Sequence, residues 1–483
     1  MNKEIIAKMF KAYDMRGRVP ELTPQVYYLM GQALFEVVLS PENLPTEISL
    51  FCDARYSSPI FYKAFAAGYL SKGGSIVPMG LATTEMMYAS CIVFNRPGVT
   101  ITASHNPKDD NGLKMIKAYP QILGRTEGLE EMMNYVLDRI ETFKLDLTKL
   151  PELQENIGEK AKVMSLLLEK YAEIGNLAKS DEALGSQSRK LKIVVDTANG
   201  MSGYVLPEIA KLYKNVEFIP LYWEIDGTFP NHPADPFNPA NLVDLQAKVI
   251  ETKADFGIGM DGDGDRAVLV DENGNLVNSE FFVAKCATFF IDQVRFNPTL
   301  NFNPAIVYVT SYSRALADSV LAINGTAIPS KQGHAFVKDE MKKYNAIYGG
   351  EASGHHYFGQ FGYMDSGLLV IGLVINMVLN ENLKASELCK YYEDKYFVSG
   401  ERNFEMPEGT DFGVIKSILK QEFEGGIINE LDGLSMFWPD WKFTVRFSQT
   451  STKPTLRINV ETKGQNTVST KLEEILKVLD IKN

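Results

Sequence analysis

Three carboxylates fall within five residues in Asp261-Gly262-Asp263-Gly264-Asp265-Arg266. Two carboxylates about 4 Å apart repel by about 4 kcal/mol at an effective dielectric near 20. Three that converge therefore call for a cation, and oxygen-only ligands favour Mg²⁺ or Ca²⁺ over zinc. An EF-hand is nearly spelled here, since Glu272 falls at its twelfth position. Its sixth position, which needs glycine, is Arg266, and the flanks (residues 256–260 and 267–271) are apolar and strand-like instead of amphipathic helices. Gly257, Gly259 and Gly262 also spell G-x-G-x-x-G, but a pyrophosphate there would meet three carboxylates where it needs a helix N-terminus.

A second stretch, Thr102-Ala103-Ser104-His105-Asn106-Pro107, follows the short apolar run Gly98-Val99-Thr100-Ile101, which places it at a strand's carboxyl end. Asn106-Pro107 and Asp110-Asn111-Gly112 are turn signals. A serine on such a loop is a candidate nucleophile or phosphoryl carrier, with His105 beside it and Lys114 ten residues on. A third, Gly349-Gly350-Glu351-Ala352-Ser353-Gly354-His355-His356, offers Glu351 and Ser353 as hydrogen-bonders to neighbouring sugar hydroxyls and His355 as a proton donor or acceptor. The chain has five histidines, and four of them (His105, His334, His355, His356) lie in or beside such loops, with His232 in a proline-rich one.

The elements that must hold these loops follow a βαβ rhythm. Thr23 and Pro24 open a helix, residues 48–52 read as a strand, Pro59 opens the next helix, and residues 75–78 are strand-like. A helical, charged stretch over residues 126–150 closes this part. The rhythm restarts at residues 191–196, then at residues 305–310 and 346–348. From about residue 386 the texture changes: residues 443–447 alternate as a strand, residues 455–460 form another, and Thr470 with Glu473 makes a capping box for a terminal helix. In open α/β sheets ligands bind outside the carboxyl ends of the strands, so loops at Ser104, Asp261 and Glu351 could face one crevice.

With 483 residues the chain is too long for one core and is expected to hold three or four domains. A net charge of −12 argues against a polyanion-binding surface, so no nucleic-acid partner is expected, while a small phosphorylated substrate is compatible with local cations. The longest apolar run, residues 367–379, is too short for a bilayer and reads as a buried helix. With no apolar leader after Met1 and four scattered cysteines, the expectation is a cytoplasmic protein with free buried thiols and no membrane association.

In this order, T-A-S-H-N-P, D-G-D-G-D-R and G-E-A-S-G-H resemble the motifs of the α-D-phosphohexomutase family. So do F-K-A-Y-D-M-R-G (residues 10–17) and D-G-T-F-P-N-H-P (residues 226–233), and the resemblance runs from about residue 10 to 460. The sugar loop looks most like the phosphomannomutase/phosphoglucomutase branch. The resemblance implies an α/β fold of three similar mixed-sheet domains plus a C-terminal α+β domain around a central cleft. Residues 1–155 would carry the phosphoserine loop, 156–270 the metal loop, 271–385 the sugar loop, and 386–483 the phosphate-binding domain.

It also implies roles. Ser104 carries a phosphoryl group, and Asp261, Asp263 and Asp265 bind Mg²⁺ with an oxygen from phosphoserine 104. Tyr13 and Arg16 lie near the phosphoserine, while Lys114, Arg266, Gly333, His334 and His355 surround the reacting sugar. In the fourth domain the family's R-x-S-N-T-E-P becomes Arg446-Phe447-Ser448-Gln449-Thr450-Ser451-Thr452-Lys453-Pro454. Arg446, Ser448 and Thr450 match; Gln449 replaces asparagine, about two extra residues precede the proline, and an alternative register brings in Ser451 and Thr452. Ala352 stands where methionine is common.

The activity implied is interconversion of hexose 6-phosphate and hexose 1-phosphate, with mannose or glucose as the sugar. Glucose or mannose 1,6-bisphosphate would serve as activator, in a monomer or dimer. Lys114 or His355 would take the hydroxyl proton. Phosphoglucosamine mutase and a Mg²⁺-dependent sugar phosphatase are the alternatives. Since Glu351-Ala352-Ser353-Gly354-His355 carries no discriminator between C2 epimers, mannose and glucose phosphates should both turn over. Coupled assays on mannose, glucose, glucosamine and N-acetylglucosamine phosphates check this, and turnover of glucosamine phosphate alone would transfer the chain to the first alternative.

Overall fold

The computed structural model describes residues 3–119, 121–176, 190–448 and 454–481. Two compact units emerge, Met1–Leu276 with Ser353–Ser386, and Val277–Ala352 with Glu387–Asn483.

The first unit contains two sheets. In one, strands run in the order Met15–Arg18, Asp110–Ala118, Gly98–Ile101, Glu47–Cys52, Ser75–Leu81. Glu47–Cys52 pairs in parallel with both Ser75–Leu81 and Gly98–Ile101, and its last residue, Cys52, lies opposite Leu81 on one side and Ile101 on the other. This register makes three strands end in line, so the loops after residues 52, 81 and 101 leave the sheet at one edge. Asp110–Ala118 then returns antiparallel beside Gly98–Ile101, with Lys114 opposite Thr100. Helix Pro24–Ala33 starts at the expected proline, and helix Thr84–Phe94 is capped by the Thr83 side chain, which accepts the Met86 amide.

The other sheet runs Ala267–Asp271, Phe256–Met260, Leu191–Asp196, Val216–Leu221. Leu191–Asp196 is parallel to Val216–Leu221 and Phe256–Met260, whereas Ala267–Asp271 comes back antiparallel with Ala267 opposite Met260. Residues 261–266 are thus a hairpin loop between two strands buried at every position. Such strands read as continuous apolar runs because both faces are covered. The hairpin His356–Phe358 with Met364–Asp365 and the helix Leu368–Glu381 belong to this unit as well. The helix is buried from Leu368 through Met377, as the apolar run 367–379 predicts. Among the described residues no single helix is long and apolar enough to cross a membrane. All four cysteines are buried and unpaired.

In the second unit, strands Thr326–Ser330, Asn303–Val309 and Ala346–Gly350 are parallel; helix Ser279–Phe296 precedes them in the chain, and helices Ala315–Ala322 and His334–Tyr344 lie between them. The C-terminal sheet is antiparallel: Tyr396–Val398, Thr455–Lys463, Trp441–Ser448, Leu434–Phe437, Ile427–Asn429, with Arg402–Glu405 also paired to Thr455–Lys463. Its two long strands alternate cleanly. Phe443, Val445, Leu456, Ile458 and Val460 enter a core with Leu419 and Ile475 of the covering helices. Lys442, Thr444 and Arg446 point the other way, opposite Glu461, Asn459 and Arg457 in register.

The structure differs from expectation at several places. A helix, Lys3–Met9, precedes the segment 10–17, which contributes the strand Met15–Arg18. The charged stretch 126–150 divides into helix Leu129–Arg139 and separate short turns, because Asp146 accepts the Thr148 amide and caps a turn of its own. The capping box is not formed: the terminal helix is Val468–Val478, so Thr470 lies inside its first turn and Thr467 occupies the N-cap without a side-chain bond.

The polar face of the C-terminal sheet buries ions. Lys442 donates to the carbonyls of Thr310 (3.3 Å) and Tyr312, Glu461 accepts the Arg314 amide (3.1 Å), and Glu280 accepts the Ser313 amide (2.5 Å). Burial pushes the Glu280 carboxyl up to about 7, since the nearby Lys442 is offset by Glu461. Between its ordinary 4.5 and about 7, Glu280 keeps its proton when folded and loses it when unfolded. The folded state then binds more protons, so this contribution to stability is fully present below 4.5 and disappears as pH rises through 7. Glu280→Gln should therefore leave stability near pH 5 unchanged and raise it at pH 8, by roughly 2–3 kcal/mol. Denaturation curves at the two pH values measure this.

Candidate active site

Ser104 sits three residues past the end of Gly98–Ile101 and is buried, at 1% exposure. Its backbone is left-handed, with φ of 55°, a conformation that costs a non-glycine residue about 1–3 kcal/mol and persists only where surroundings impose it. Those surroundings are visible. Arg55, also buried, donates to the carbonyls of Ser104 (2.8 Å), Asn106 (2.7 Å), Pro107 (2.5 Å) and Asp110 (3.1 Å). Its own orientation is held by Asp53 at 3.0 Å. One guanidinium thus ties the whole serine loop to the neighbouring strand's end, a geometry suited to its planar array of donors. Arg16 adds bonds to Asn106 Oδ1 (3.1 Å) and the Ala103 carbonyl (3.4 Å), fixed in turn by Asp14 at 2.8 Å. Tyr13 is half-buried three residues earlier.

The hairpin loop 261–266 meets the serine loop at its backbone. Ser104 Oγ donates to Asp261 Oδ2 at 2.9 Å, and Arg266 Nη2 reaches Ser104 Oγ at 3.2 Å. Arg266 also donates to His105 Nδ1 and, through Nε, to Asp261 at 3.1 Å. Gly262 is required here: a Cβ would lie 2.5 Å from the Ser104 carbonyl oxygen. Gly264 has φ of 87°, the left-handed turn that lets the third carboxylate follow.

Asp261, Asp263 and Asp265 are all buried, and one carboxylate oxygen from each lies within 4.8 Å of the others. Lys114 stands among them, 2.6 Å from Asp263 Oδ2 and 2.5 Å from Asp265 Oδ2. Thr84 donates to Asp263 at 2.5 Å and its amide bonds the Asp263 carbonyl at 3.1 Å. Burial opposes charge on every member. For Asp263 the Lys114 ammonium wins and holds the carboxyl down to about 2; Asp261 is pushed up by burial and by the charges of Asp265 and Asp263, and Asp265 by burial and by the charge of Asp263. Lys114 is raised above its ordinary value, because Asp263 and Asp265 outweigh its own burial. Asp263 Oδ1 and Asp265 Oδ1 are buried with no hydrogen-bond partner. Oxygen-only donors with orphaned lone pairs and surplus negative charge suit a hard cation, so the buried acidic cluster is able to bind a metal.

His355 completes this group. Its Nε2 is 3.7 Å from Asp265 Oδ1, its Nδ1 is 3.1 Å from Ser353 Oγ, and its backbone bridges Arg266. Beside it, burial keeps His356 neutral by lowering its pKa to about 3.

The second unit holds the other expected residues. Gly333, at φ of 125°, precedes helix His334–Tyr344 and donates its amide to Glu351 Oε1 at 2.8 Å; His334 is buried at the helix start. Arg446 pairs with Glu401 and lies 3.7 Å from Asp432, and Ser448 ends its strand. Thr450 lies outside the described residues, as do Gln449, Ser451, Thr452 and Lys453.

Arg55, Thr84 and Glu85 escaped sequence reasoning. Glu85, whose carboxyl burial raises to about 8, accepts from Tyr171 (2.9 Å), the Leu368 amide (3.1 Å) and Ser366, and so locks three helices behind the site. The signal for the first two was present, because residues 53–58 and 82–84 also follow strands of one parallel sheet, the same rule that singled out Ser104.

A buried serine against a carboxylate cluster, with Arg266 at its oxygen and Lys114 among the carboxylates, on loops of mixed α/β sheets, defines a phosphoryl-transfer protein of α/β/α build. Models of domains I, II and III of phosphoglucomutase/phosphomannomutase match residues 7–134, 173–274 and 284–396. The phosphomannomutase of Vibrio cholerae is 30% identical over 97% of this chain and 98% of its own length. The phosphomannomutase/phosphoglucomutase of Pseudomonas syringae is 32% identical over 95% and 92%. A crystal structure of a phosphoglucomutase/phosphomannomutase family protein from Burkholderia thailandensis has the same fold, with a TM-score of 0.78, 24% identity and coverage of 98% and 97%. The chain belongs to the phosphoglucomutase/phosphomannomutase family.

The close approach at Gly262 yields a prediction. Gly262→Ala must separate the two loops, and a misplacement near 1 Å costs about 100-fold in rate. Turnover should fall by about that factor while the circular-dichroism spectrum stays that of the parent.

Proposed function

We propose that this chain interconverts hexose 6-phosphate and hexose 1-phosphate, of mannose and glucose, through a phosphoserine at Ser104 and a hexose 1,6-bisphosphate. The observation that carries the reading is the hydrogen bond from Ser104 Oγ to Asp261, inside the carboxylate cluster and beside Arg266. The four-domain division at residues 155, 270 and 385 is part of the same proposal.

In the first half-reaction the Oγ–P bond of phosphoserine 104 breaks and a bond forms from phosphorus to the free hydroxyl oxygen of the substrate. His355 takes the hydroxyl proton, because Asp263 and Asp265 hold Lys114 as an ammonium with its protons engaged. Arg266 and Lys114 stabilise the charge spread over the phosphoryl oxygens. Arg16 and Arg55 keep the serine loop fixed. In the second half-reaction the other phosphate of the bisphosphate returns to Ser104 and His355 gives its proton back. Asp261, Asp263 and Asp265, with an oxygen of phosphoserine 104, would hold Mg²⁺, which when bound neutralises the phosphoryl oxygens. Glu351 and Ser353 bond the sugar hydroxyls, with Tyr13, Gly333 and His334 lining the substrate. Arg446, Ser448 and Thr450 hold the phosphate that is not transferred. Glucose or mannose 1,6-bisphosphate recharges a serine that has lost its phosphate.

Purified protein incubated with glucose 1,6-bisphosphate and Mg²⁺ should carry one phosphate on Ser104 by intact-mass and peptide mass spectrometry. Excess chelator should abolish turnover and Mg²⁺ restore it. An unmodified Ser104, or net release of inorganic phosphate in place of isomer, would refute the mutase mechanism.

A further inference from the structure

The polar face of the C-terminal sheet places two guanidiniums side by side, since Arg446 and Arg457 are register partners on antiparallel strands. Like charges directly opposite are unfavourable unless something lies between them. Glu401 does: it pairs with Arg446, and its Oε1 accepts from Arg457 Nη1 at 3.3 Å. Asp432 lies 3.7 Å from Arg446 on the other side. Thr444 and Asn459 are the next register pair on the same face, and with Ser311, Glu401 and both arginines they line a small recess. Arg457 Nε is buried there with no hydrogen-bond partner.

Two guanidiniums and the Ser311 hydroxyl, which is buried without a hydrogen-bond partner, are donors suited to an oxyanion with several acceptors, whereas one carboxylate supplies only two oxygens. A phosphomonoester carries about two negative charges near neutral pH. It cannot share the arginine pair with Glu401 without a like-charge contact. Glu401 lies just before the strand Arg402–Glu405, next to Gly400 with φ of 63°. We propose that Glu401 is an internal counter-anion: it occupies the Arg446–Arg457 pair in the empty protein and is displaced by the unreacting phosphate of the substrate, so it sets the affinity for the sugar phosphate. This rests on the reading of Arg446 as the phosphate-holding cation and adds Arg457 and Glu401 to it.

Glu401→Gln keeps the size and hydrogen-bonding capacity of the side chain and removes the competing charge. KM for glucose 1-phosphate, and the dissociation constant for inorganic phosphate measured by calorimetry, should both fall about tenfold, the equivalent of one charge-assisted hydrogen bond. The kcat should not rise, and Glu401→Asp should lie between Gln and the parent. An unchanged or higher KM in Glu401→Gln overturns the proposal; a higher KM with a lower unfolding temperature makes Glu401 a structural brace. Arg446→Ala separates the two readings. If it raises KM while Glu401→Gln shifts nothing, only the counter-anion fails. If Arg446→Ala leaves KM at the parent value, the phosphate site itself is misplaced.

Discussion

Everything at the serine site follows from holding three carboxylates in a place that water hardly reaches. Asp261, Asp263 and Asp265 would expel one another or take up protons without help. The structure answers with cations taken from elsewhere in the chain: Lys114 from an antiparallel strand of the neighbouring sheet, and Arg266 from the end of the same loop. Three negative charges against two leave a surplus that a divalent ion can satisfy. A phosphoryl group on Ser104 would restore negative charge beside the same cations. The cluster is thus built to tolerate a charge that moves on and off one oxygen atom.

Such a balance works only if its members are positioned independently of their charges. Neutral contacts do that here. The parallel register that aligns Cys52, Leu81 and Ile101 delivers Arg55, Thr84 and Ser104 to one sheet edge. Gly262 lets two loops touch backbone to backbone. The guanidinium of Arg55 bonds carbonyl oxygens, whose charge does not change during catalysis.

Much of this was legible in residue order. The strands at residues 256–260 and 267–271 were plain from continuous apolar runs, and the acidic loop between them was singled out by charge repulsion alone. Helix Leu368–Glu381 was visible for the same reason. Cross-chain partners were not legible. Nothing in Asp53-Ala54-Arg55 announces that the arginine spans some fifty residues to four carbonyls, because such a bond depends on how strands align. Thr470 and Glu473 had the spacing of a cap, yet burial of Val468 started the helix earlier. The pairing of Glu401 with Arg446 and Arg457 depends on the strand register, which no local pattern reports.

That register has a further consequence for how this sequence can vary. Trp441–Ser448 and Thr455–Lys463 stay paired as far as Ser448 opposite Thr455. Residues inserted or deleted beyond that last rung change the length of the connection and nothing upstream of it. Arg446 stays across from Arg457 whatever the connection's composition, as Thr444 stays across from Asn459. The departure from the family's usual spelling at residues 449–453 therefore falls where drift is cheapest. A lineage could sample many connections there without moving the paired arginines.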